Sequence, residues 1–547
     1  MAIEVTTLGG LIDRAADKYG KSEAIVFEGQ RLTYEELHKQ VDNLAKGLLK
    51  LGISKGDKIA LWMSNCPEWE VCEYAIFKAG GVMIPLNTRF KLEELAYILG
   101  QSDATTLIMG DRFLGIDFME MIYELIPQLK DTPEGQLDVT RFPHLKNIIC
   151  KSGKTYKGIF AFDELLDSGN ALDDEALAER ERMIKGEDVV CIPYTSGTTG
   201  FPKGVMTTHA QYLKEVNDIA GRLTIKEDDR FCTTTPFSFN FGNFFGPLMA
   251  TMLGGCVVPL DYFDPEKVLE VVEKERCTNI MGTPTIYIEI LRHPKFDRHN
   301  LTSLRTGVIG AAPSPVQLIE DIIAQMGVRG LVAAYGMTEN SGATTVTTVG
   351  DPPEVIATTV GRPLPDVEIK IVDPETGREL EREQQGELCT RGYLVLKGYY
   401  KMAEETAKVI DDDGWFHTED LGIITKEGNL KITGRLKDMF ISGGTNVYHA
   451  EVENFLFKHP KVKQVSVVGV QDSKMGEVGM AFIILKQGEK SSPEEIIEFC
   501  KGKIANYKVP KHVEFVEEFP LTAMGKVQKF KLKETGEAKL SMETSDQ

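Results

Sequence analysis

A short loop rich in hydroxyl groups and glycine constrains this chain more than any other segment. It spans residues 194–204, Tyr-Thr-Ser-Gly-Thr-Thr-Gly-Phe-Pro-Lys-Gly, between two apolar runs. Glycines let backbone N–H groups turn toward an anion, and hydroxyls and an ammonium add further donors. We therefore predict a phosphate-binding loop. Its candidate ligands are Thr195, Ser196, Gly197, Thr198, Thr199, Gly200 and Lys203.

The loop differs from that of P-loop kinases and ATPases. Counted from Gly197, Pro202 stands where that motif needs its second glycine, and Gly204 replaces the Ser or Thr that should follow Lys203. An ordinary surface loop is the structural alternative, but such loops rarely combine four hydroxyls, three glycines and a lysine within eleven residues. We therefore keep the prediction that this loop binds phosphate, and we disfavour a P-loop kinase or ATPase.

Composition narrows the class of protein. The 547 residues, 42% hydrophobic and 26% charged, have a globular composition and suffice for several domain-sized units. A formal charge of −20 disfavours nucleic acid as a partner. The nine cysteines form no C-x-x-C pair, and neither a signal peptide nor a membrane span is recognisable. We therefore predict a cytoplasmic protein with no integral membrane segment.

Helical and strand patterns alternate through most of the chain. Residues 33–49 have helical periodicity and open with a candidate capping box of Thr33 and Glu36, whereas residues 58–63 form a short apolar strand pattern. Alternation of this kind predicts α/β sheets with ligand loops at the strand ends. Beyond Gly361 the residues favour a smaller antiparallel β region. A charged joint at residues 434–438 precedes a last segment of mixed helix and strand.

Further motifs follow the loop along the chain. Residues 334–340 read Ala-Tyr-Gly-Met-Thr-Glu-Asn, residues 414–422 read Gly-Trp-Phe-His-Thr-Glu-Asp-Leu-Gly, and residues 520–526 read Pro-Leu-Thr-Ala-Met-Gly-Lys. With the phosphate loop, they resemble the adenylate-forming superfamily of acyl-CoA synthetases, peptide-synthetase adenylation domains and luciferases. The acyl-CoA synthetase branch is favoured, and the resemblance covers Leu8 to about Leu532.

The resemblance implies a division into domains. Residues 1–434 would form an N-terminal adenylation domain of two α/β sheet subdomains and a small β-rich subdomain. A hinge at residues 435–438 would connect it to a mobile α+β C-terminal domain, residues 439–547. Lys437 coincides with the superfamily's hinge residue, about which the C-terminal domain swings between two arrangements.

The resemblance also assigns roles at a nucleotide site. Thr338 resembles the hydroxyl that contacts the α-phosphate, Glu339 the carboxylate that holds Mg²⁺, and Tyr335 the ring beside adenine. A carboxylate beside a triphosphate is a donor set that Mg²⁺ prefers. Asp420 resembles the acceptor of both ribose hydroxyls, and Arg435 its ribose and phosphate partner. Further ATP and AMP ligands by this comparison are Gly310, Ala311, Ala312 and Gly336.

Two of these assignments have ordinary structural alternatives. A Thr-Glu pair such as Thr338 and Glu339 is by itself more often a helix cap, and a lone arginine such as Arg435 more often forms a surface salt bridge. The phosphate loop upstream shifts both interpretations toward nucleotide binding.

The C-terminal segment supplies the remaining implied machinery. Lys526 resembles the lysine that bridges the carboxylate and the α-phosphate and stabilises charge at phosphorus. Ser442, Gly443 and Gly444 resemble the segment that lines the pantetheine tunnel, where paired glycines let a thiol arm pass close to the backbone. The implied catalytic residues are Lys526, Thr338, Glu339 and Lys437.

A phenylalanine-rich stretch, residues 235–245, predicts an apolar acyl pocket. Phe239 stands where many relatives place a gating His or aromatic residue. Amino-acid-activating relatives have an Asp within the equivalent of residues 237–245, and no acid occurs there, so an amino acid substrate is disfavoured. Some of these phenylalanines are expected to belong to the hydrophobic core and not to a pocket. The candidate pocket residues are Phe239, Asn240, Phe241, Gly242, Thr283 and Gly310.

The implied reaction has two steps, with ATP and CoA as cosubstrates and Mg²⁺ as cofactor. A fatty, cyclic or aryl carboxylate and ATP give an acyl-adenylate and pyrophosphate, and CoA then gives acyl-CoA and AMP. Two alternatives stay open: an acyl-AMP ligase that loads a carrier protein in trans, and a non-catalytic acyl- and nucleotide-binding protein. Other candidate partners are a second copy of the chain, as a homodimer, and a lysine acetyltransferase acting on Lys526.

Overall fold

The structure is a computed structural model that describes residues 5–171, 173–195, 202–436, 439–442, 445–472, 474–521 and 527–545. Packing divides the chain into two units. The first comprises Met1–Ile369 and Thr390–Phe416, and the second comprises Lys370–Cys389 and His417–Gln547.

A mainly parallel sheet forms one layer of the first unit. Its central strands pair in parallel, as in the register Gly310↔Ala334, and strands at both ends pair antiparallel. The strands, in spatial order, are Gln30–Thr33, Glu23–Phe27, Cys256–Pro259, Arg230–Thr233, Asn279–Gly282, Thr306–Gly310, Gly330–Tyr335, Thr345–Val346 and Arg362–Pro363.

A second mainly parallel sheet belongs to the same unit. Only its Thr207–Thr208 edge pairs antiparallel among the described strands. The strands, in spatial order, are Thr207–Thr208, Val189–Cys191, Val82–Pro85, Lys58–Trp62, Ala104–Gly110, Asn147–Lys151 and Phe160–Ala161. Two short hairpins complete the strands, Arg112–Phe113 with Ile116–Asp117 and Tyr194–Thr195 with Lys203–Gly204.

Helices connect these strands, and their starts follow local signals. The predicted capping box is confirmed: the Glu36 N–H donates to Thr33 Oγ1, and the Thr33 N–H donates to Glu36 Oε2. The α-helices of the first unit are Leu8–Tyr19, Tyr34–Lys50, Pro67–Lys78, Leu92–Gln101, Phe118–Leu125, Phe162–Ser168, Asp174–Arg182, His209–Arg222, Asn240–Asn243, Met249–Leu253, Pro265–Glu275, Pro284–Leu291, Val316–Gln325, Pro353–Thr358 and Ala403–Ala407.

A largely buried helix, Pro67–Lys78, packs in the main core of the first unit. The same apolar cluster contains Ile59 and Met83 from one sheet and Val257 and Val308 from the other. Both sheets therefore bury apolar faces against shared helices, which is the layered arrangement that an alternating βα pattern predicts.

Two further sheets follow, the first mostly and the second wholly within the second unit. The first has the strand order Val367–Val372, Gly386–Gly392, Phe416–Ile424 and Leu430–Arg435, and its last two strands pair antiparallel. The second contains Met439–Ser442, Thr445–Tyr448, Val462–Asp472, Gly476–Leu485 and His512–Phe515. The accompanying α-helices are His449–Leu456, Pro493–Cys500 and Lys529–Ser545.

These elements confirm the predicted α/β fold, with its small β-rich region and α+β C-terminal segment. The packing units do not coincide with the predicted joint, because residues 370–389 and 417–436 group with the C-terminal segment. A hinge is defined by motion between domains. The hinge at 435–438 thus stays a prediction, and Lys437 lies outside the described residues.

Two further observations concern the cysteines and the length and polarity of the helices. All nine cysteines lie in the described ranges and none of them forms a disulfide bond there; Cys66 is half-buried and the others are buried. Among the described helices, none combines the length and apolar character needed to cross a membrane.

Candidate active site

Loops that carry predicted site residues follow four neighbouring parallel strands of the larger sheet. The strands Arg230–Thr233, Asn279–Gly282, Thr306–Gly310 and Gly330–Tyr335 run in parallel, so their carboxyl ends lie at one edge. The candidate residues that follow them, in the same order, are Phe239 to Gly242, Thr283, Ala311 and Ala312, and Gly336 to Glu339.

A short 3-10 turn, Thr338–Asn340, presents the candidate metal ligand Glu339. The fully buried Asn340 anchors the turn: its Nδ2 donates to Thr344 Oγ1 at 3.0 Å, and its Oδ1 accepts from Thr390 Oγ1 at 3.1 Å. The Leu396 N–H donates to the Glu339 carbonyl at 2.9 Å. Hydrogen bonds of the Asn340 side chain and of the Glu339 carbonyl therefore fix the backbone of this turn.

Two hydroxyl groups orient the Glu339 carboxylate. Tyr399 donates to Glu339 Oε1 at 3.1 Å, and Thr195 Oγ1 donates to the same oxygen at 3.4 Å. Carboxylate and hydroxyl oxygens are hard donors of the kind that Mg²⁺ prefers, and the Glu339 side chain is only half-buried. The residues present therefore fit a magnesium ion.

Lys203 lies near the C-terminal end of the predicted phosphate loop. Its Nζ donates to the Glu405 carboxylate and lies 5.0 Å from the centre of the Tyr399 ring. Hydrogen bonds from Lys203, and next from Lys408, lower the pKa of Glu405 to about 2. Thr195 pairs directly with Lys203 across the hairpin, so both ends of the loop are anchored. The other predicted ligands of this loop lie outside the described residues; they are Ser196, Gly197, Thr198, Thr199 and Gly200.

The candidate adenine side of the site is built from small residues. A Cβ at Gly310 would lie 2.8 Å from the Ala334 carbonyl oxygen, so this position is closed to larger residues without movement. Ala311 has φ +67°, a left-handed conformation that costs a non-glycine residue about 1–3 kcal/mol. Ala311 and Ala312 are exposed, and Tyr335 is half-buried.

The helix Asn240–Asn243 is tied to the turn that carries Glu339. Asn240 Nδ2 donates to the Ser341 carbonyl, and Tyr212 donates to Asn240 Oδ1 at 3.1 Å. Within the helix, a Cβ at Gly242 would lie 2.3 Å from the Pro236 carbonyl oxygen. The candidate acyl segment and the candidate nucleotide turn therefore form one connected structure.

The phenylalanines of residues 235–245 divide into two groups. Phe237, Phe244 and Phe245 are buried in the main core, whereas Phe239 and Phe241 are only half-buried. The Phe241 ring lies beside Gly310, where a Cβ would be 3.7 Å from its Cε2 atom. Phe239 and Phe241 therefore remain available to line a pocket, and Thr283 is half-buried nearby along the strand edge.

The buried carboxyl of Glu73 supports the same segment from the interior. Asn243 Nδ2 donates to Glu73 Oε1 at 2.5 Å. Burial raises the pKa of Glu73 from its ordinary 4.5 to about 8, although the Asn243 hydrogen bond opposes this shift. Glu73 is therefore protonated in the folded chain at pH 7.

We expect Glu73→Gln to reduce the pH dependence of stability. Between pH 4.5 and 8 unfolding releases the Glu73 proton, so its contribution, complete below pH 4.5, is lost as the pH rises through 8. The maximal slope is about 1.4 kcal/mol per pH unit. Apparent melting temperatures at about pH 5.5 and about pH 7.5 should differ more for the parent than for the variant. The exposed Glu93→Gln is the control, and equal slopes would contradict the assignment.

In the second unit, Asp420 and Arg435 are direct partners on adjacent strands. Arg435 Nε donates to Asp420 Oδ1 at 2.8 Å, and the Asp420 N–H donates to Thr418 Oγ1 at 3.0 Å. The Asp420 side chain is 5% exposed, against 52% for Arg435. Ser442 is buried at the end of its strand. The other candidates of this unit, Lys437, Gly443, Gly444 and Lys526, lie outside the described residues.

Three residues of the first unit support the site although no sequence motif points to them. Tyr399 contacts both Glu339 and Lys203, and Glu405 pairs with Lys203. Glu215 is fully buried and accepts from the Ala343 N–H, and burial raises the pKa of its carboxyl well above the usual range. In the sequence, Glu215 stands out only as a polar residue within an apolar helical stripe, and that pattern does not predict which group it contacts.

Comparisons with known proteins agree with this architecture. The AMP-binding enzyme family matches residues 12–400, and the AMP-binding enzyme C-terminal domain matches residues 451–526. The protein provisionally named acyl-CoA synthetase YngI, from Bacillus subtilis (strain 168), is 43% identical over 531 residues, covering 97% of each chain. Medium-chain acyl-CoA ligase ACSF2, mitochondrial, of Homo sapiens is 36% identical over 544 residues, covering 98% of this chain and 88% of that protein.

A solved structure extends the comparison to three dimensions. The anthranilate CoA ligase AuaEII, in complex with anthranoyl-AMP, matches with a TM-score of 0.85 and 26% identity, covering 98% of both chains. The family match spans most of the chain, and the relatives cover nearly all of it. The chain therefore belongs to the AMP-binding enzyme family, in the acyl-CoA synthetase branch of the adenylate-forming superfamily, and is an enzyme of the ligase class.

Proposed function

We propose that this chain is an AMP-forming acyl-CoA synthetase that acts on medium-chain fatty acids. The observation that carries the proposal is the Glu339 carboxylate, oriented by Thr195 and Tyr399 and joined through Ser341 and Asn240 to a segment with half-buried phenylalanines. The candidate metal ligand thus lies on one connected structure with an apolar wall. That arrangement suits attack of a fatty carboxylate on the α-phosphate of ATP.

Each residue of the proposed machinery acts by binding or positioning. Glu339 and Thr195 would hold Mg²⁺, which when bound neutralises charge on the phosphates. Lys203 would turn from Glu405 toward the phosphate tail of ATP. Asp420 would accept from the ribose hydroxyls, with Arg435 fixing its orientation. No protein nucleophile is required, because positioning and charge stabilisation supply the rate.

The substrate class rests on the wall of the pocket and on the relatives. Phe239 and Phe241 provide apolar surface, and the segment carries no acidic residue that could pair with a substrate amine. A relative that is 36% identical over nearly the whole chain is named a medium-chain acyl-CoA ligase. A medium-length alkyl chain is therefore the proposed substrate.

The proposed cycle includes a domain rotation between the two half-reactions. Residues 435–438, with Lys437 at the hinge, would let the segment 439–547 first present Lys526 and then the Ser442 to Gly444 tunnel. This step is supported by the resemblance of Lys437, Lys526 and residues 442–444 to the superfamily's hinge, catalytic lysine and pantetheine tunnel.

The test of the function is AMP release from MgATP with and without CoA. The acids are acetate, hexanoate, decanoate, palmitate, benzoate and cyclohexanecarboxylate. We expect CoA-dependent AMP formation with a maximum at hexanoate or decanoate. Adenylate formed without any response to CoA would instead support transfer to a carrier protein. ATP binding without turnover of any acid would support a binding protein and overturn the proposal.

We expect Phe241→Ala to shift the chain-length preference toward longer acids. Removing the ring beside Gly310 opens space for additional methylenes, each worth about 0.8 kcal/mol when buried. The ratio of kcat/KM for palmitate over hexanoate should rise about tenfold. The exposed Phe457→Ala is the control. A uniform fall in activity with an unchanged chain-length profile would place Phe241 outside the pocket.

We expect Lys526→Ala to separate the two half-reactions. Loss of the ammonium should slow adenylation at least about 10³-fold, because it removes charge stabilisation at phosphorus. Thioester formation from supplied acyl-adenylate and CoA should change little. Acetylation of Lys526 should have the same selective effect. The exposed Lys531→Ala is the control, and loss of both half-reactions in Lys526→Ala would contradict this division of labour.

A further inference from the structure

Three side chains of different chemistry meet on the β-rich sheet of the second unit. Glu387 and Cys389 are alternate residues of the strand Gly386–Gly392, so both side chains lie on one face. His417 belongs to the neighbouring strand, Phe416–Ile424. His417 Nδ1 lies 3.5 Å from Cys389 Sγ and 2.9 Å from Glu387 Oε2.

The distance from sulfur to nitrogen matches that between two ligands of a tetrahedral metal ion. Bond lengths of about 2.3 Å to sulfur, about 2.0 Å to nitrogen and about 2.1 Å to oxygen place neighbouring ligand atoms about 3.3–3.6 Å apart around Zn²⁺. The ligand atoms of Glu387, Cys389 and His417 all lie within 4.8 Å of one another. The 3.5 Å from Cys389 Sγ to His417 Nδ1 lies in this range, whereas the 2.9 Å from His417 Nδ1 to Glu387 Oε2 would lengthen by about 0.4 Å when an ion binds.

The surroundings of the cluster suit a bound metal ion. The Glu419 N–H donates to Glu387 Oε1 at 3.2 Å and so orients the carboxylate toward His417 through its other oxygen. Hydrogen bonds of this kind to ligand carboxylates are usual around protein-bound metals. Glu387 and Cys389 are buried, whereas the His417 side chain is 32% exposed. An ion could enter from the His417 side and retain one water molecule.

A second cluster with suitable residue types serves as a contrast. Asp13, His38 and Asp42 also lie close together, but the Lys78 ammonium lies 2.5 Å from both Asp13 and Asp42. An internal cation therefore already balances those carboxylates. Within the described part of the chain, Glu387 pairs with His417 and with no lysine or arginine.

We propose that Glu387, Cys389 and His417 form a binding site for a Zn²⁺-class divalent ion. The set of thiolate, imidazole and carboxylate favours zinc over magnesium, because sulfur and nitrogen are soft donors. Binding releases the Cys389 thiol proton to solvent and forms the metal–sulfur bond without any redox change. None of these three residues is among those proposed to bind Mg²⁺ or the nucleotide, and the strand of His417 also carries Asp420.

Cobalt substitution tests the proposal. The purified full-length protein is treated with a chelator, and Co²⁺ is then titrated while near-ultraviolet thiolate-to-cobalt absorption is recorded. We expect one equivalent per chain, displaced by Zn²⁺ and unaffected by excess Mg²⁺. Cys389→Ala should abolish the absorption, and His417→Gln should weaken affinity at least about tenfold. The half-buried thiol variant Cys66→Ala should bind as the parent does.

Several outcomes would overturn the site. These are absence of the absorption in the parent, its persistence in Cys389→Ala, or an equal loss in Cys66→Ala. Glu387→Gln keeps the size of the side chain and an acceptor for the Glu419 N–H, so it tests the carboxylate if the cysteine variant fails to fold. It should weaken Co²⁺ binding at least about tenfold, and unchanged affinity would contradict the proposal.

Discussion

Replacing Glu339 with glutamine should lower the rate of adenylation by about 10³-fold or more. Glutamine keeps the size of the side chain and an oxygen that can accept from Tyr399 and Thr195, so the local fold should persist. What disappears is the negative charge that would hold Mg²⁺ against the triphosphate. The measurement is pyrophosphate release with MgATP and decanoate, at saturating and at limiting Mg²⁺.

The pattern of the loss is as informative as its size. If Glu339 acts through the ion, high Mg²⁺ should partly restore the variant, and Tyr399→Phe should show a milder loss because it only loosens the carboxylate. The exposed Glu404→Gln, in the helix Ala403–Ala407, is the matched control and should retain activity. Activity of Glu339→Gln within a few-fold of the parent would remove Glu339 from the catalytic machinery.

Gly336→Ala should nearly abolish adenylation without unfolding the chain. A Cβ at this position would lie 1.7 Å from the Gly342 carbonyl oxygen and 2.7 Å from Ala343 Cα. Both are backbone atoms, so the segment between Tyr335 and Ala343 has to move, and Glu339 moves with it. A displacement of about 1 Å at a catalytic group costs about 10²-fold in rate.

The control for this substitution is Gly221→Ala. Gly221 lies in the helix His209–Arg222, and a Cβ there meets no atom within 4 Å. Alanine should therefore stabilise the helix by about 0.5–1 kcal/mol and leave activity unchanged. The measurements are adenylation rate and melting temperature for both variants. An active Gly336→Ala enzyme would mean that the turn tolerates displacement and that Glu339 does not depend on it.

Local sequence determined the chemistry of individual segments. The capping box of Thr33 and Glu36 and the glycine-rich loop each act over a few residues, so neighbouring side chains specify them. The alternation of helix and strand patterns also indicates the fold class. Each βα unit must bury an apolar strand and one apolar helix face, so every unit shows the same pattern in its sequence. Motif order then identified the family.

Tertiary structure alone decided which distant residues share a contact. Thr195 and Tyr399 reach Glu339 across 144 and 60 positions of sequence, and His417 reaches Glu387 across 30. Such contacts depend on strand order and on the register between strands. Local side-chain patterns do not specify either one, because both are set by the packing of the whole core. The burial that protonates Glu73, and the division of five phenylalanines between core and candidate pocket, arise from the same packing. Sequence thus determined which groups are present and in what order, whereas the tertiary fold decided which of them act together.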